Sequence, residues 1–235
     1  MNHPKGREIS SLFAVENNED FFMGMYGIDI SEHNGEIDLS QYKDQFVIIR
    51  AGWGWAIEQK DKMFERNVRE CIRLNIPFGV YWYSYAVDIE SARAEAQVFL
   101  RVIAPYRDQI RLGVWVDQED ADGWKVKNGF RINREYITES TALMCSMIEA
   151  QGYYTGIYCS YSWLGYLGEK CAPYDRWVAH WGTDNGEKQN DMSAFGSIHQ
   201  FTTKPLDRDY TNRDLSAFKA KKAKTDMNQG VIDIA

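Results

Sequence analysis

The sequence predicts an α/β fold, an irregular TIM-like β/α barrel of about eight strands. Three observations lead there. Apolar runs of strand length alternate with amphipathic stretches of helical period. The runs are apolar at consecutive positions, the pattern of strands covered on both faces. The last two runs lie too close together for a helix to cross between them.

The elements follow in order. The first strand is expected at 26–30 and the second at 46–51, built on Phe46-Val47-Ile48-Ile49. A helix is expected at 61–74, where Met63, Phe64, Val68, Cys71 and Ile72 recur at helical spacing. Asn75 and Pro77 stop it. The third strand is 78–83. Asp88 opens a second helix, with Ala92, Ala96, Phe99, Leu100 and Ile103 on one stripe and Pro105 past its end. The fourth strand is 112–117. A long amphipathic helix at 133–151 ends at Gly152, and the fifth and sixth strands are 155–159 and 176–180. Between 181 and 196 there is no helical stripe, only turn formers such as Gly182, Asn185 and Gly186. The seventh strand, 197–201, and the eighth, 206–210, are separated by Thr202 to Pro205 alone. A parallel crossover needs a dozen or more residues, so this pair must be an antiparallel hairpin. The late strands should therefore lack covering helices. The barrel is expected over 25–218, between an N-terminal extension at 1–24 and a C-terminal tail at 219–235 carrying Lys219, Lys221, Lys222 and Lys224.

Composition removes several function classes. The chain has 235 residues, 44% of them hydrophobic, enough for a sizeable core. A net charge of -7 without a long Lys/Arg run argues against a nucleic-acid partner. No apolar stretch reaches the roughly 18 residues of a membrane span. The polar first twenty residues hold no signal-peptide hydrophobic region, so the protein is expected to be cytoplasmic until released or exported by another route. Cys71, Cys145, Cys159 and Cys171 form no CxxC pair and read as buried thiols of a reducing compartment. His3, His33, His180 and His199 lack metal-ligand spacing, and neither a metal nor a cofactor is expected. Aromatics are abundant, with 8 Trp, 14 Tyr and 11 Phe, many at strand ends. Most should fill the core, but aromatic faces also stack on the apolar faces of sugar rings.

The most informative stretch is Val114-Trp115-Val116-Asp117-Gln118-Glu119-Asp120, an apolar strand running into carboxylates. Side chains alternate along a strand, which puts Asp117 and Glu119 on one side. Two carboxyls held together and buried cannot both ionise cheaply, and a protonated acid beside an ionised one is what glycoside hydrolysis requires. In parallel barrels chemistry sits at the C-terminal ends of the strands. Those ends carry Asp29, Ser31, Glu32 and His33; Arg50 and Trp53; Tyr81, Tyr83 and Tyr85; Asp117 and Glu119; Tyr158; His180 and Trp181; and Gln200. The hairpin adds Asp207 and Asp209 to the same rim.

This ordered set resembles glycoside hydrolase family 25, the muramidases that include many phage endolysins. The matching pieces are Gly27-Ile28-Asp29-Ile30-Ser31-Glu32-His33-Asn34-Gly35, Phe46-Val47-Ile48-Ile49-Arg50-Ala51-Gly52, Gly79-Val80-Tyr81-Trp82-Tyr83-Ser84-Tyr85, Asp117-Gln118-Glu119, Gly156-Ile157-Tyr158-Cys159-Ser160, Trp177-Val178-Ala179-His180-Trp181 and His199-Gln200 with Asp209. Two departures stand out: Asn34-Gly35 where the family often has Gln-Gly, and Gln118, followed by an extra Asp120, where an apolar residue is commoner. Neither removes a carboxylate. The resemblance implies hydrolysis of the β-1,4 bond between N-acetylmuramic acid and N-acetylglucosamine in bacterial peptidoglycan, by a monomer. It implies Glu119 as general acid. Asp117 would stabilise the oxocarbenium-like transition state or orient the substrate N-acetyl group, and Asp29 and Asp209 would complete the acidic floor. Tyr83, Tyr85, Tyr158, Trp181, Gln200 and Arg50 would bind sugar. Two other readings are a wall-glycan-binding barrel without catalysis and a chitinase-like hydrolase. The intact Asp117/Glu119 pair disfavours the first, and the missing Asp-x-x-Asp-x-Asp-x-Glu series disfavours the second.

Overall fold

Eight strands close into a barrel in sequence order in the computed structural model, which describes residues 24–219. They are β1 (Met25–Ile30), β2 (Phe46–Trp53), β3 (Phe78–Tyr83), β4 (Ile110–Asp117), β5 (Thr155–Ser160), β6 (Asp175–Ala179), β7 (Ile198–Thr202) and β8 (Arg208–Thr211). Neighbours from β1 to β7 pair in parallel. The β7–β8 pair is antiparallel, as the short linker dictates, and β8 also runs antiparallel to β1, so one reversed strand closes the ring. The expected extension and tail lie, apart from Gly24 and Lys219, outside the described residues.

Three helices of eleven or more residues cover the early strands: α1 (Phe64–Leu74), α2 (Ile89–Ile103) and α4 (Arg134–Ala150); a single turn, α3 (Trp124–Lys127), follows β4. Their ends obey local chemistry. The Asp88 carboxylate accepts the Ser91 N–H at 2.7 Å and Asn133 accepts that of Tyr136 at 2.9 Å, each satisfying a free donor of a first turn. Asn75 ends α1 in the left-handed region, at φ 54°. Helix α1 starts three residues later than the expected 61, because Asp61 is used elsewhere. Its carboxylate accepts from Met63 N–H, Glu32 N–H and Arg50 Nε. The eighth strand starts at Arg208 rather than 206, which leaves Asp207 in the turn. No helix lies between β6 and β7.

The alternation of each strand divides the apolar residues into two layers. Val47, Ile49, Val114 and Val116 face outward against α1, α2 and α4, with Phe64, Val68, Ala96, Phe99, Met144 and Ile148. Phe46, Ile48, Trp115, Trp177 and Ile198 fill the barrel interior. Large rings fit there because glycine stands opposite them. Phe46 pairs with Gly27, where a Cβ would meet its ring at 2.3 Å, and Trp115 pairs with Gly156, where a Cβ would meet the indole at 2.2 Å. All four cysteines are free and buried. No described helix is long and apolar enough to cross a membrane.

Candidate active site

The interior changes character one step up each strand. Above Gly27 on β1 comes Asp29, above Ile48 on β2 comes Arg50, and above Trp115 on β4 comes Asp117. Asp29, Asp117, Asp209 and Gln200 are all buried at the C-terminal mouth of the parallel strands. The hairpin register sets Gln200 opposite Asp209, and the β1–β8 register sets Asp209 opposite Gly27, two residues before Asp29. Strands β1 and β4 and the β7–β8 hairpin thus meet in one hollow.

A continuous hydrogen-bond line crosses its floor. Tyr158 Oη and Trp181 Nε1 both donate to Gln200 Oε1, at 2.9 and 3.0 Å. Gln200 Nε2 donates to Asp29 Oδ2 at 2.8 Å. Trp177 Nε1 donates to Asp209 Oδ1 at 2.8 Å. The other Asp209 oxygen is buried with no hydrogen-bond partner among the described residues, beside the Asp29 carboxyl. Burial first, and then the neighbouring charges of Asp209 and Asp207, hold the Asp29 carboxyl well above its ordinary range. Burial also pushes Asp209 up to about 8, against the opposing hydrogen bond from Trp177.

The second carboxyl pair lies at the end of β4. The main chain keeps strand-like bonding past Asp117: Ser84 N–H donates to Asp117 O at 3.0 Å, and Gln118 N–H donates to Tyr158 O at 3.0 Å. Alternation therefore carries one residue further, and Glu119 faces the hollow with Asp117. Both charges bear on the hydroxyls of Tyr83 and Tyr158. Burial, followed by the Glu119 charge, raises Asp117 well above the carboxylate range. Burial raises Glu119 to about 7, against the pull of the Lys125 ammonium and with help from Asp122, Asp120 and Asp207. The Tyr83 hydroxyl and Asp117 Oδ1 are buried with no hydrogen-bond partner among the described residues. A donor and an acceptor thus stand ready beside the two acids.

A groove of about 440 Å3 leads away from the hollow, walled by Glu32, Arg50, Trp53, Tyr83, Tyr85 and Asp122. Arg50 belongs to this wall more than to the carboxylate floor. Its Nε donates to Asp61 at 2.8 Å, its Nη2 lies 3.6 Å from Glu32, and its guanidinium covers the Trp53 ring at 4.9 Å. The Tyr85 hydroxyl donates to Asp122 at 2.5 Å. At the opposite edge Trp181 is 40% exposed, a ring face open to a ligand. A larger cavity of about 550 Å3, among Arg107, Arg111, Tyr154 and Phe218, sits at the other mouth of the barrel, remote from these acids. Among the described residues no cluster of three or more His, Cys, Asp and Glu side chains is arranged to hold a metal.

All ten residues singled out in the sequence therefore line the hollow or its groove. Sequence reasoning placed Asp207 and Tyr81 at the rim without giving them a role, and gave none to Trp177 or Lys125. Asp207 adds charge near Asp29, Asp209 and Glu119, and burial raises it to about 6. Strand parity was the available signal for Trp177, which shares a face with Ala179 and Trp181. For Lys125 there was none.

Comparison with known proteins bears on family and fold. Residues 28–209 match the sequence model of the glycosyl hydrolases family 25. No curated protein matches the sequence directly. Similar solved structures include the modular autolysin LytC of Streptococcus pneumoniae in complex with a synthetic peptidoglycan ligand (22% identity, TM-score 0.65, covering 80% of this chain and 46% of the autolysin). The catalytic domain of endolysin ply40 from bacteriophage P40 of Listeria monocytogenes is another (20% identity, TM-score 0.65, covering 85% and 98%). A third is the spore cortex lytic enzyme SleM of Clostridium perfringens (16% identity, TM-score 0.68, covering 83% and 69%). At these identities the likeness is one of fold. The chain spans less than half the length of the autolysin.

Proposed function

The chain belongs to glycosyl hydrolase family 25, and from that premise we propose that it is an N-acetylmuramidase cutting the β-1,4 bond between N-acetylmuramic acid and N-acetylglucosamine in bacterial peptidoglycan. The observation that carries this reading is the hollow in which Asp29, Asp117, Glu119 and Asp209 converge, beside a groove walled by aromatic rings. The similar autolysin structure that holds a peptidoglycan ligand supports the same substrate class.

Glu119 is the general acid. A carboxyl raised to about 7 still holds a proton near neutrality and can pass it to the glycosidic oxygen as the bond to the anomeric carbon breaks. Positive charge then develops on the sugar ring. Asp117, beneath the same site, stabilises that charge, or its unpaired Oδ1 takes the acetamido N–H and orients the N-acetyl group. Water completes the reaction: its hydroxyl adds to the anomeric carbon and its proton returns to a carboxylate. Asp29 holds Gln200 in place, Gln200 in turn orients Tyr158 and Trp181 toward the sugar, and Asp209 holds the Trp177 indole. The Tyr83 hydroxyl, unpaired within the protein, is a ready partner for the acetamido carbonyl. Trp53, Tyr85 and Arg50 extend the contact along the glycan.

The test is clearing of bacterial wall suspensions by the parent and by Glu119→Gln, with soluble chitin oligomers as the competing substrate. Loss of a positioned general acid should lower wall clearing by about 10²–10⁴-fold. Equal clearing by both proteins would remove Glu119 as the acid. Faster release from chitin oligomers than from walls would remove the muramidase specificity.

A further inference from the structure

Lys125 is buried to 1% exposure on the single turn α3, a position the proposed reaction leaves without a role. Lysine is almost never fully buried unless it is paired. Its Nζ donates to the main-chain oxygen of Glu119 at 2.6 Å. Its ammonium faces carboxylates from three directions: Glu95 on α2, Asp117 at the end of β4, and Glu119 and Asp120 on the segment joining β4 to α3. The turn that carries it is fixed in turn by Asp120, whose carboxylate accepts the main-chain N–H of Lys125 at 2.8 Å and of Val126 at 3.3 Å.

Glu95 is as unusual as its partner. It is fully buried; one oxygen accepts the Tyr85 N–H at 2.9 Å, and the other has no hydrogen bond among the described residues. Three carboxyls, Glu95, Asp117 and Glu119, therefore lie in the field of one buried cation. Desolvation by itself would leave all three protonated, and a hydrolase needs one of the pair at β4 ionised. A single positive charge beside them favours that ionisation, while burial still holds both Asp117 and Glu119 above the ordinary carboxylate range. Asp117 feels one further cation, Arg50 from β2, which is already committed to Asp61 and Glu32. Glu119 is faced in addition by Asp122 and Asp207, and the hydroxyls of Tyr83 and Tyr158 complete the ring of titratable groups around the pair.

We infer that Lys125, backed by Glu95, is a positioning residue that anchors the Glu119 main chain and supplies the counter-charge dividing one proton between Asp117 and Glu119. Glu95 moderates that charge from the far side. The inference rests on the reading of Asp117 and Glu119 as the working pair, and its signature is a pair of opposite shifts. Lys125→Met removes the cation at nearly constant size, so Glu119 should hold its proton to higher pH. Glu95→Gln frees Lys125 from its second partner, so Glu119 should release its proton at lower pH.

The experiment follows the Glu119 carboxyl by ¹³C NMR titration in the full-length protein and in Lys125→Met, Lys125→Arg and Glu95→Gln. The pH dependence of kcat/KM on wall substrate is measured alongside. The Glu119 midpoint and the alkaline limb of the rate profile should both move up by about one pH unit in Lys125→Met. Both should move down by a smaller step in Glu95→Gln, and Lys125→Arg should return them toward the parent. A plug that merely fills space would lower the rate and leave both midpoints in place. Should Lys125→Met fail to fold, Glu95→Gln decides the matter. Unmoved midpoints, or movement of both variants in one direction, would overturn the inference. The NMR midpoint reports on Lys125 whatever Glu119 does in the reaction, and activity retained by Glu119→Gln would overturn the reaction reading alone.

Discussion

The lower and upper halves of the barrel interior are built from the same strands and solve opposite problems. In the lower half Phe46, Ile48, Trp115, Trp177 and Ile198 pack together, Trp115 edge-on to Trp177, with Gly27 and Gly156 making the space. Every group there gains by leaving water. Two residues further along β1 and β4 the side chains are Asp29 and Asp117, and the hairpin adds Asp209. These gain nothing by leaving water unless they keep their protons. The lower half stabilises the fold, and the upper half draws on that stability to hold carboxyls in a state that water would not allow. The difference between them lies in register more than in composition, since a slip of one residue would put Trp115 and Asp117 on the outer face.

The largest effect should come from breaking the lower half. Trp115 is fully buried against the rings of Tyr154, Trp177 and Phe218, and its Nε1 donates to Leu112 O at 2.8 Å. Trp115→Ala should cost about 3–5 kcal/mol of stability by denaturant unfolding. The activity of the molecules that remain folded should fall far less than in Glu119→Gln. A loss below about 1 kcal/mol, on the scale of an ordinary surface substitution, would mean that the indole is not part of the supporting core.

The upper half should reveal itself through pH. The raised carboxyls are Glu95 at about 7, Glu119 at about 7, Asp207 at about 6, Asp209 at about 8, and Asp29 and Asp117 well above the ordinary range. In the unfolded chain each titrates near 4. Between the two values the folded protein holds protons that the unfolded chain has released, so their contribution is full below about pH 4 and is lost as pH rises through the folded values. Each pH unit in that interval removes about 1.4 kcal/mol per fully affected carboxyl. The melting temperature should therefore fall from about pH 5 to about pH 8. Asp209→Asn should flatten that fall while lowering activity, and a wild-type melting temperature that rises over the interval would contradict the account.

Much of this contrast was legible in the sequence, and the gaps have identifiable causes. Two-sided burial writes itself as consecutive apolar residues, so Phe46-Val47-Ile48-Ile49 and Val114-Trp115-Val116 marked their strands. The four-residue link at Thr202 to Pro205 fixed the reversed hairpin and thereby brought Asp209 to Gln200. Strand ends then pointed to Asp29, Arg50, Asp117 and Glu119. What escaped was whatever depends on one side chain reaching across the fold. Asp61 reads as the start of a helix until Arg50 and the Glu32 amide claim it. Lys125, in Trp124-Lys125-Val126-Lys127, carries no signal of its place until α3 brings its Nζ to the Glu119 main-chain oxygen.

The smallest effect separates the two faces of a single strand end. Gln118 lies between Asp117 and Glu119, and alternation turns its side chain away from the hollow, toward the layer that holds Val114 and Val116. It is 1% exposed, and neither its amide oxygen nor its amide nitrogen has a hydrogen-bond partner among the described residues. A buried amide without partners costs about 1–3 kcal/mol relative to one that is satisfied. Gln118→Leu should therefore raise stability, by about 1 kcal/mol once imperfect fit in the outer layer is allowed for. The alkaline limb of the rate profile should stay where it is, because the substituted group faces neither acid. Lost stability would show that the amide is bonded in solution. A shifted limb would show that the outer face of β4 communicates with the hollow, and the separation of the two faces would no longer hold.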